Sequence, residues 1–350
     1  MTKNSYHIAI LGATGVVGQK MIYFLEKSTI PIHKLTLLSS KRSAGKKFVF
    51  RGEEITVTEA TETSFEGVDI ALFSAGGAIS KKFAPIAVQS GAVVIDNTSA
   101  YRMEEGIPLV VPEVNSDVIP THKGIIANPN CSTIQMVVAL KPITDKYGLE
   151  RVVVSTYQAV SGAGSNAITE LNNEIISYTL KTEYTPKVLP VSSLDKHYPI
   201  FPNVIPQIDK FVDNGFTFEE MKMMNETKKI LNDYQLKVSA TCVRIPIVVG
   251  HSESVYIETK QHITSVEELK ELLSSAPGIT LLDNVEEQVY PMPYYCVDSP
   301  QVFVGRIRKD PDVPNGFHLW IVADNLAKGA AANSVQIAEQ VIEMEAFTAK

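Results

Sequence analysis

A glycine-rich turn near the start of the chain constrains the fold most strongly. Gly12, Gly15 and Gly18 lie in one short segment. That segment follows the apolar run 6–11 and precedes the helical pattern 16–27. Glycines here permit a tight turn and let an anion approach the backbone at a helix N-terminus, as in nucleotide-binding strand–turn–helix units. The spacing G-x-x-G-x-x-G is a variant of the usual G-x-G-x-x-G, and a turn without a ligand is the alternative interpretation.

The first third of the chain alternates strand and helix patterns. Strands are predicted at 6–11, 35–39, 69–74 and 92–96, helices at 16–27 and 81–90, and an inserted hairpin at 48–57. Near-continuous apolar strands indicate a parallel sheet covered on both faces. We therefore expect an α/β fold that begins with a Rossmann-type nucleotide domain at 1–130. The helical segment 325–345 is expected to return to it, so the domain also takes in 326–350.

The pattern changes after residue 130. Helices are predicted at 134–147, 166–180, 218–233 and 266–274, strands at 152–158, 238–245, 254–259, 302–307 and 318–322, and a long loop at 187–206. The alternation of apolar and polar residues at 254–259 is typical of a half-exposed antiparallel strand. The sequence thus predicts a second, α+β domain at 131–325 with a largely antiparallel mixed sheet.

Cys131 lies where a loop turns into a helix. Pro129 cannot sit inside a helix, Asn130 is a good N-cap, and an apolar helical stretch follows. A thiol in the first helical turn feels the positive end of the helix dipole, which favours the thiolate. The nearby amides can also hold an oxyanion on a carbonyl that the thiolate attacks. The alternative is that Cys131 is a small buried apolar residue.

Bulk properties exclude several classes of protein. The chain has 350 residues, 45% hydrophobic residues and a net charge of −7, which argues against a nucleic-acid or anionic-membrane surface. No apolar run reaches the length of a membrane span, and the first residues lack a signal-peptide pattern. The three cysteines are far apart, which fits a reducing cytoplasm. Histidines and carboxylates show no metal-ligand spacing, so we expect no metal.

The end of the second predicted strand bears on the choice of cofactor. An NAD site usually has a carboxylate there, but this chain has Ser39, Arg42 and Ser43 in the segment 39–43, which can bind a 2′-phosphate. NADP is therefore predicted over NAD, and a solvated basic turn is the alternative. The residues of the first domain expected to contact the cofactor are Gly12, Thr14, Gly15, Val16, Val17, Ser39, Arg42, Ser43, Ser74 and Gly76.

A series of motifs resembles the aspartate-β-semialdehyde dehydrogenases along essentially the whole chain. The motifs that carry the resemblance are Gly12-Ala13-Thr14-Gly15, Asn97-Thr98-Ser99-Ala100-Tyr101-Arg102, Asn128-Pro129-Asn130-Cys131-Ser132-Thr133, Gln158-Ala159-Val160-Ser161-Gly162-Ala163-Gly164, Glu219-Glu220-Met221-Lys222, Arg244-Ile245-Pro246, His251-Ser252-Glu253-Ser254 and Asp324-Asn325-Leu326. The compact spacing between Arg244 and His251 resembles the branch common in Gram-positive bacteria.

The resemblance implies a reaction and a set of roles. L-aspartyl 4-phosphate would be reduced with NADPH to L-aspartate 4-semialdehyde and phosphate, the branch-point step toward lysine, threonine and methionine. The implied roles are Cys131 as nucleophile, Asn130 and Gln158 as orienting groups, His251 as acid/base, Arg244 for the substrate carboxylate, Glu219 for its ammonium, Arg102 and Lys222 for phosphate, and Ser161, Gly162 and Asn325 near the nicotinamide. The resemblance also implies a homodimer or homotetramer joined through the sheet of the second domain.

Alternatives remain at this stage. Glu219 and Lys222 are three residues apart on a predicted helix, so they either contact both ends of the substrate or pair with each other. A sister reductase acting on N-acetyl-glutamyl phosphate is the nearest rival enzyme, although its substrate lacks the ammonium that Glu219 would bind. A non-catalytic NADP-binding sensor is the rival from another class.

Overall fold

The structure, a computed structural model, describes residues 3–347 of the chain. The chain divides into two compact units, one of residues 1–130 with 330–350 and one of residues 131–329. The first unit is therefore built from two separate stretches of sequence. The second boundary falls at 330, whereas the sequence pattern put it at 326.

A parallel sheet forms the centre of the first unit. The elements before residue 131 are β1 (Tyr6–Leu11), α1 (Val16–Lys27), β2 (Ile32–Ser39), β3 (Lys47–Phe50), β4 (Glu53–Thr56), β5 (Thr58–Glu59), β6 (Ile70–Phe73), α2 (Gly77–Gln89), β7 (Val93–Asp96), α3 (Pro112–Asn115) and β8 (Ile125–Ala127). The sheet has the order β5-β2-β1-β6-β7-β8, and every neighbouring pair is parallel. The predicted Rossmann-type sheet is confirmed.

The strand order reverses beside β1. The chain moves from β1 to β2 on one side, and later places β6 on the other side. The carboxyl ends of these strands consequently form a crevice at a topological switch point, which is where open α/β sheets bind ligands. All residues of β1, β6 and β7 are buried, as expected for a sheet covered on both faces.

Two local features of the first unit differ from or refine the sequence pattern. Helix α2 begins at Gly77, one turn before the predicted start, because Gly76 caps it with φ +97° and no side chain marks that position. The hairpin formed by β3 and β4 turns at Arg51 and Gly52, both with positive φ. Two positive φ values in a two-residue turn match the right-handed twist of the flanking strands.

The second unit contains a mixed sheet and longer helices. Its elements are α4 (Cys131–Tyr147), β9 (Leu149–Gln158), α5 (Ser165–Leu180), α6 (Phe218–Ile230), β10 (Lys237–Arg244), β11 (His251–Thr259), α7 (Val266–Ser274), β12 (Ile279–Leu281), β13 (Val302–Lys309) and β14 (Gly316–Ala323). The sheet order is β10-β9-β11-β14-β13-β12, with parallel pairs at the two ends and antiparallel pairs between them. The predicted largely antiparallel mixed sheet is confirmed.

The two faces of the second sheet differ. Helices α4 and α6 contact one face, which we call the inner face, and its side chains are buried. The opposite, outer face keeps partly exposed side chains, including Val153, Tyr157, Tyr256 and Trp320. This one-sided burial produces the alternating strand pattern seen in the sequence.

Two buried carboxylates hold the long loop that follows α5. Glu170 accepts backbone N–H groups of Val188 and Leu189 at 2.9 and 3.0 Å. Glu174 accepts those of Ile200 and Phe201 at 2.8 and 2.7 Å. Backbone donors that no sheet or helix uses are thereby satisfied, and the loop is fixed to one helix face.

The final segment returns to the first unit. After a π-helix at Ala327–Ala331, α8 (Ala332–Glu343) packs on α1 and α3. Asn333 donates to Val110 O at 3.0 Å and to Asn128 Oδ1 at 2.7 Å. The predicted helix at 325–345 is therefore interrupted at its start by a wider turn. No helix among residues 3–347 is long and apolar enough to cross a membrane.

Candidate active site

Cys131 is the first residue of α4. Its side chain is half-buried, whereas Cys242 and Cys296 are buried. Gly329 packs against Cys131, because a Cβ at position 329 would be 2.8 Å from Cβ of Cys131. Burial lowers the pKa of Arg244, and the charges of Glu219 and then of the Cys131 thiolate oppose that change. The thiol therefore lies within electrostatic reach of an arginine and at the positive end of a 17-residue helix.

Three polar side chains form a row across neighbouring strands of the inner face. Arg244 at the end of β10 pairs with Gln158 at the end of β9. His251 begins β11, and the residue after it pairs with the residue before Gln158. All three are buried. We call these three residues the first row.

Arg244 is held by the backbone and is deeply buried. Its Nη1 donates to Ala159 O at 2.6 Å. Burial lowers the pKa of Arg244, and the nearby carboxylate of Glu219 opposes that change. A Cβ on Gly162 would be 3.0 Å from Nη1 of Arg244, so the small residue allows the loop to approach the guanidinium. A fixed, charged fork of this kind is suited to a carboxylate.

His251 is neutral and has a defined tautomer. Its Nδ1 accepts the backbone N–H of Ala159 at 3.1 Å, so the ring proton resides on Nε2. Nε2 makes no hydrogen bond to any described residue. Burial, followed by the charge of Arg244, lowers the pKa of His251 to about 3. The ring therefore presents an uncharged N–H donor.

Glu219 and Lys222 pair on α6. Nζ of Lys222 lies 3.3 Å from Oε2 of Glu219 and 2.9 Å from Oδ2 of Asp209. Glu219 Oε1 accepts from Nε2 of Gln158 at 3.3 Å, and Thr156 Oγ1 accepts from the same nitrogen at 3.3 Å. The carboxylate of Glu219 thus links Lys222 on α6 to Gln158 of the first row. Of the two sequence alternatives, the direct pairing is present.

A second polar group lies on the loop after β9 and the segment after β14. Asn325 Oδ1 accepts the backbone N–H of Gly250 at 2.9 Å, and its Nδ2 donates to Ser161 Oγ at 3.0 Å. Ser161, Gly162 and Asn325, the three residues predicted near the nicotinamide, are therefore brought together within the second unit.

In the first unit, a cavity of about 480 Å³ opens at the switch point of the sheet. Its lining includes Gly12, Thr14, Gly15, Ser39 and Ser74, all of which the sequence predicted. A Cβ on Gly12 would be 2.9 Å from atoms of Ser74 and Ala75, and its φ is +94°, so only glycine fits the turn. Thr14 Oγ1 and Ser39 Oγ lie 2.9 Å apart.

Other residues of the cavity differ from the prediction. The lining includes Lys41, Lys82 and Glu59, which the sequence pattern did not single out, and does not include Arg42, Ser43, Val16, Val17 or Gly76. Arg42 is exposed, and Ser43 is buried. Glu59 reaches this place because β5 pairs with β2, opposite Ser39. That pairing joins residues distant in sequence, and no local sequence pattern predicts it.

Arg102 is buried in the first unit. Its Nε donates to Asn128 O at 2.9 Å, and its Nη2 donates to Asn97 O at 3.0 Å. Asn128 and Asn97 are themselves joined, with Nδ2 to Oδ1 at 2.6 Å. The guanidinium is thus fixed by the segment that leads to Asn130. Among residues 3–347, no group of three or more His, Cys, Asp or Glu side chains could hold a metal ion.

Comparisons with known proteins agree with this geometry. Residues 7–122 match the semialdehyde dehydrogenase NAD-binding domain, and residues 140–328 match the semialdehyde dehydrogenase dimerisation domain. Aspartate-semialdehyde dehydrogenase of Bacillus subtilis is 61% identical over 96% of this chain and 97% of its own length.

Two solved structures are similar over nearly the full chain. Aspartate semialdehyde dehydrogenase II of Vibrio cholerae, complexed with ASA, has a TM-score of 0.93 at 45% identity and covers 97% of this chain and 99% of its own. The enzyme of Candida albicans with NADP has a TM-score of 0.74 at 27% identity, and the match covers 98% of this chain and 100% of that one. Because a relative is 61% identical over 96% of this chain and both semialdehyde dehydrogenase domains match, the chain belongs to the aspartate-semialdehyde dehydrogenase family.

Proposed function

We propose that this chain reduces L-aspartyl 4-phosphate with NADPH to L-aspartate 4-semialdehyde and phosphate, in the biosynthesis of lysine, threonine and methionine. The observation that carries the proposal is the thiol of Cys131 at the start of α4, the helix whose Gln135 bonds to the backbone of the buried His251. The relatives named above, one with ASA and one with NADP, support the same substrate and cofactor.

Each end of the substrate has a proposed partner. The fork of Arg244 suits the α-carboxylate, and the buried carboxylate of Glu219 suits the α-ammonium. Gln158 orients the substrate, and its amide is already fixed by Glu219 and Thr156. Arg102 and Lys222 bind the phosphate. Lys222 also pairs with Asp209 and Glu219, so phosphate would join a cation that is already ordered.

The first chemical step forms a thioester. The Cys131 thiolate attacks the acyl carbon, a carbon–sulfur bond forms, and the bond to the phosphate oxygen breaks. The oxyanion that develops accepts hydrogen bonds from the amide of Cys131 and the side chain of Asn130. The N-terminus of a helix favours the thiolate over the thiol. The thiolate is the form that attacks the substrate in this step and the form that leaves in the later step.

The second step releases the aldehyde. When bound, the reduced cofactor supplies a hydride to the thioester carbon. The thiohemiacetal on Cys131 then collapses, with His251 as a hydrogen-bond donor rather than as an acid/base. Since Nδ1 is engaged by the Ala159 backbone, His251 acts through Nε2. Its N–H donates a hydrogen bond to the charged oxygen of the thiohemiacetal, and collapse of that alkoxide releases aldehyde and thiolate with no net proton transfer from the ring.

The first unit is the proposed NADP-binding domain, and residues 131–325 form the proposed catalytic and dimerisation domain. The glycine turn is suited to a pyrophosphate at the start of α1, because Gly12 lets the turn pack closely on Ser74 and Ala75, 2.9 Å from where a Cβ would lie. The proposed contacts are Gly12, Thr14, Gly15, Val16, Val17, Ser39, Arg42, Ser43, Ser74 and Gly76 in this unit, and Ser161, Gly162 and Asn325 in the second. Hydroxyls and cations around Ser39 and Lys41 suit a 2′-phosphate, which supports NADP over NAD.

The outer face of the second sheet is the proposed interface between subunits. No helix in the described residues of the second unit has substantial contact with that face, and it carries Tyr157, Tyr256 and Trp320. Aromatic side chains that are half-exposed on a sheet are typical of interfaces. A homodimer needs this contact alone, and a homotetramer would need a second contact between dimers. A cytoplasmic location is proposed because the three cysteines are thiols.

Replacement of Cys131 by Ala tests the proposed function. We expect turnover of aspartate semialdehyde with phosphate and NADP to fall at least about 10⁴-fold, because no thioester can form. NADP affinity, measured by fluorescence titration, should stay unchanged. Wild-type turnover in the variant would refute the nucleophile, and an inactive wild-type protein with normal NADP binding would favour the sensor. Turnover with the N-acetyl-glutamyl substrate and not with the aspartyl one would favour the sister reductase.

A further inference from the structure

Beneath the first row lies a second row of buried side chains on the same face of the sheet. Side chains two residues apart on a strand share a face, so Cys242, Thr156 and Glu253 each lie two positions from a member of the first row. Cys242 pairs with Thr156, and Thr156 pairs with Glu253. We call Cys242, Thr156 and Glu253 the second row.

The polar character ends with the second row. Two positions further along the strands, the paired residues are Ala240, Val154, Val255 and Leu319, all buried and apolar. Thr156 has an evident use, since it accepts a hydrogen bond from Gln158. Glu253 is the member of the second row whose acidic group has no obvious purpose in a core.

Glu253 is fully buried. Its side chain has 0% exposure, and neither carboxyl oxygen makes a hydrogen bond to a described residue. Burial raises the pKa of Glu253 well above its ordinary value, because a charge without a partner is unfavourable in this surrounding, and this favours the uncharged carboxylic acid. An apolar side chain of similar size would fit this surrounding at lower cost, which suggests that the acid serves a purpose other than stability.

Gln135 connects this acid with the catalytic groups. It lies four residues after Cys131 on α4, hence on the same side of the helix. Its Nε2 donates to His251 O at 3.3 Å. Burial is the main influence on the pKa of Glu253, and the Gln135 side chain works to lower that pKa, so the two side chains are neighbours. Oε1 of Gln135 has no partner in the described residues, and a carboxylic acid O–H is a suitable donor for it.

We propose that Glu253 is a positioning residue: its carboxyl group orients the amide of Gln135, which ties the first turns of α4 to the start of β11 and so fixes Cys131 relative to His251. The inference rests on the proposed function, and it assigns Glu253 and Gln135 a positioning role behind that site. Neither residue touches the substrate in this scheme. Their effect passes through the distance between the thiol and the imidazole.

The decisive variant is Glu253→Met, compared with Glu253→Gln. The amide of Gln can donate to Gln135, so Glu253→Gln should keep kcat within about threefold of wild type. Methionine cannot donate, so Glu253→Met should lower kcat about 100-fold, as expected for a misplacement on the ångström scale. KM for aspartate semialdehyde should change less than about twofold, because Arg244 is untouched. The unfolding temperature should stay equal or rise, which a structural role would not give.

Val255→Met is the matched control, one row deeper on the same strand face. It perturbs packing without reaching Gln135, so its kcat should remain within about threefold of wild type. The rate of Cys131 alkylation by iodoacetamide provides a readout that needs no turnover. It should fall in Glu253→Met and remain unchanged in Glu253→Gln and Val255→Met.

Several results would overturn the proposal. One is a folded Glu253→Met with wild-type kcat and alkylation rate. Another is a folded Glu253→Gln as slow as Glu253→Met, since that would mean the acid itself transfers a proton. Should Glu253→Met not fold, Gln135→Met carries the test, with the same expected loss of kcat. If the wild-type enzyme lacks the proposed activity, the alkylation rates still decide whether Glu253 positions the thiol.

Discussion

The two units recognise their ligands by different means. In the first unit, the crevice includes a glycine turn, Gly12 to Gly15, where the backbone itself is accessible, and side chains such as Ser39 and Lys41 surround it. In the second unit, the site consists of charged and polar side chains from α4, β9, α6, β10 and β11. The comparison teaches that a backbone site depends on the space left at a few glycines, whereas a side-chain site depends on the chemistry and register of each group.

Among the changes that test this comparison, Arg244→Lys in the second unit should have the largest effect. Lysine keeps the charge but loses the fork, so kcat/KM for aspartate semialdehyde should fall about 10³-fold, mainly through KM. Steady-state kinetics measure this change. Arg151→Lys is the control, because Arg151 is half-exposed and only 3.7 Å from Glu258 in a surface pair. A KM equal to wild type in Arg244→Lys would show that this site does not depend on side-chain geometry.

The next largest effect should be a dependence of folding stability on pH, caused by His251 in the second unit. The pKa of His251 is about 3 in the folded chain and 6.5 when exposed, so the unfolded chain binds the proton first. Its contribution to stability is therefore complete above pH 6.5 and is lost as pH falls from 6.5 toward 3. At pH 4.5 the loss should be about 2–3 kcal/mol, and His251→Gln should lack it. Urea unfolding at pH 7 and pH 4.5 provides the measurement; equal losses in both proteins would contradict it.

Gly12→Ala examines the backbone site of the first unit. Alanine would be strained at φ +94° and would approach Ser74 at 2.9 Å, so NADP affinity should fall about 30-fold and stability by about 2 kcal/mol. Gly45→Ala is the control, because Gly45 has φ +88° but no atom within 4 Å of its added Cβ. Gly45→Ala should lower the stability of the protein and leave its NADP affinity unchanged. Equal NADP affinity in the two variants would mean that the contact at Gly12 does not matter.

The smallest effect concerns cofactor choice. Lys41 lines the cavity and Arg42 follows it, so Lys41→Ala and Arg42→Ala test which cation binds the 2′-phosphate. We expect the NADP:NAD ratio of kcat/KM to fall about tenfold in at least one of them, because a charge-assisted hydrogen bond is lost. Lys46→Ala, an exposed cation outside the cavity lining, should leave the ratio unchanged. Unchanged ratios in both test variants would refute a side-chain contribution to this backbone site.

The contrast between the units also explains what the sequence could predict. The glycine turn and the buried strands of the first unit are local patterns, so β1 and α1 were predicted at Tyr6–Leu11 and Val16–Lys27 as observed. Lys41 lies in the segment 39–43 that was expected to bind the 2′-phosphate, although Arg42 was the cation chosen. Glu59 was missed, because it reaches the crevice only through the pairing of β5 with β2. The sequence alone does not show that β5 and β2 are neighbours in the sheet.

In the second unit, the residues alone indicated the thiol and little more. Arg244, Gln158 and His251 were predicted from the family resemblance, since their juxtaposition requires the register of three strands. That register also determines which residues lie beneath them, so Glu253 and Gln135 could not be recognised from spacing. Hydrophobic periodicity tells which face of a strand is buried, but it does not tell which strands are neighbours.

The return of α8 has a consequence for biogenesis. Asn333 contacts Val110 across 223 positions of sequence, and His122 bonds to Ala346 across 224. During translation, the part of the first unit before residue 131 would therefore lack α8 until the whole second unit has been made. The N-terminal half would thus be the last to reach its final stability, and chaperones or proteases would meet it first in an incomplete state.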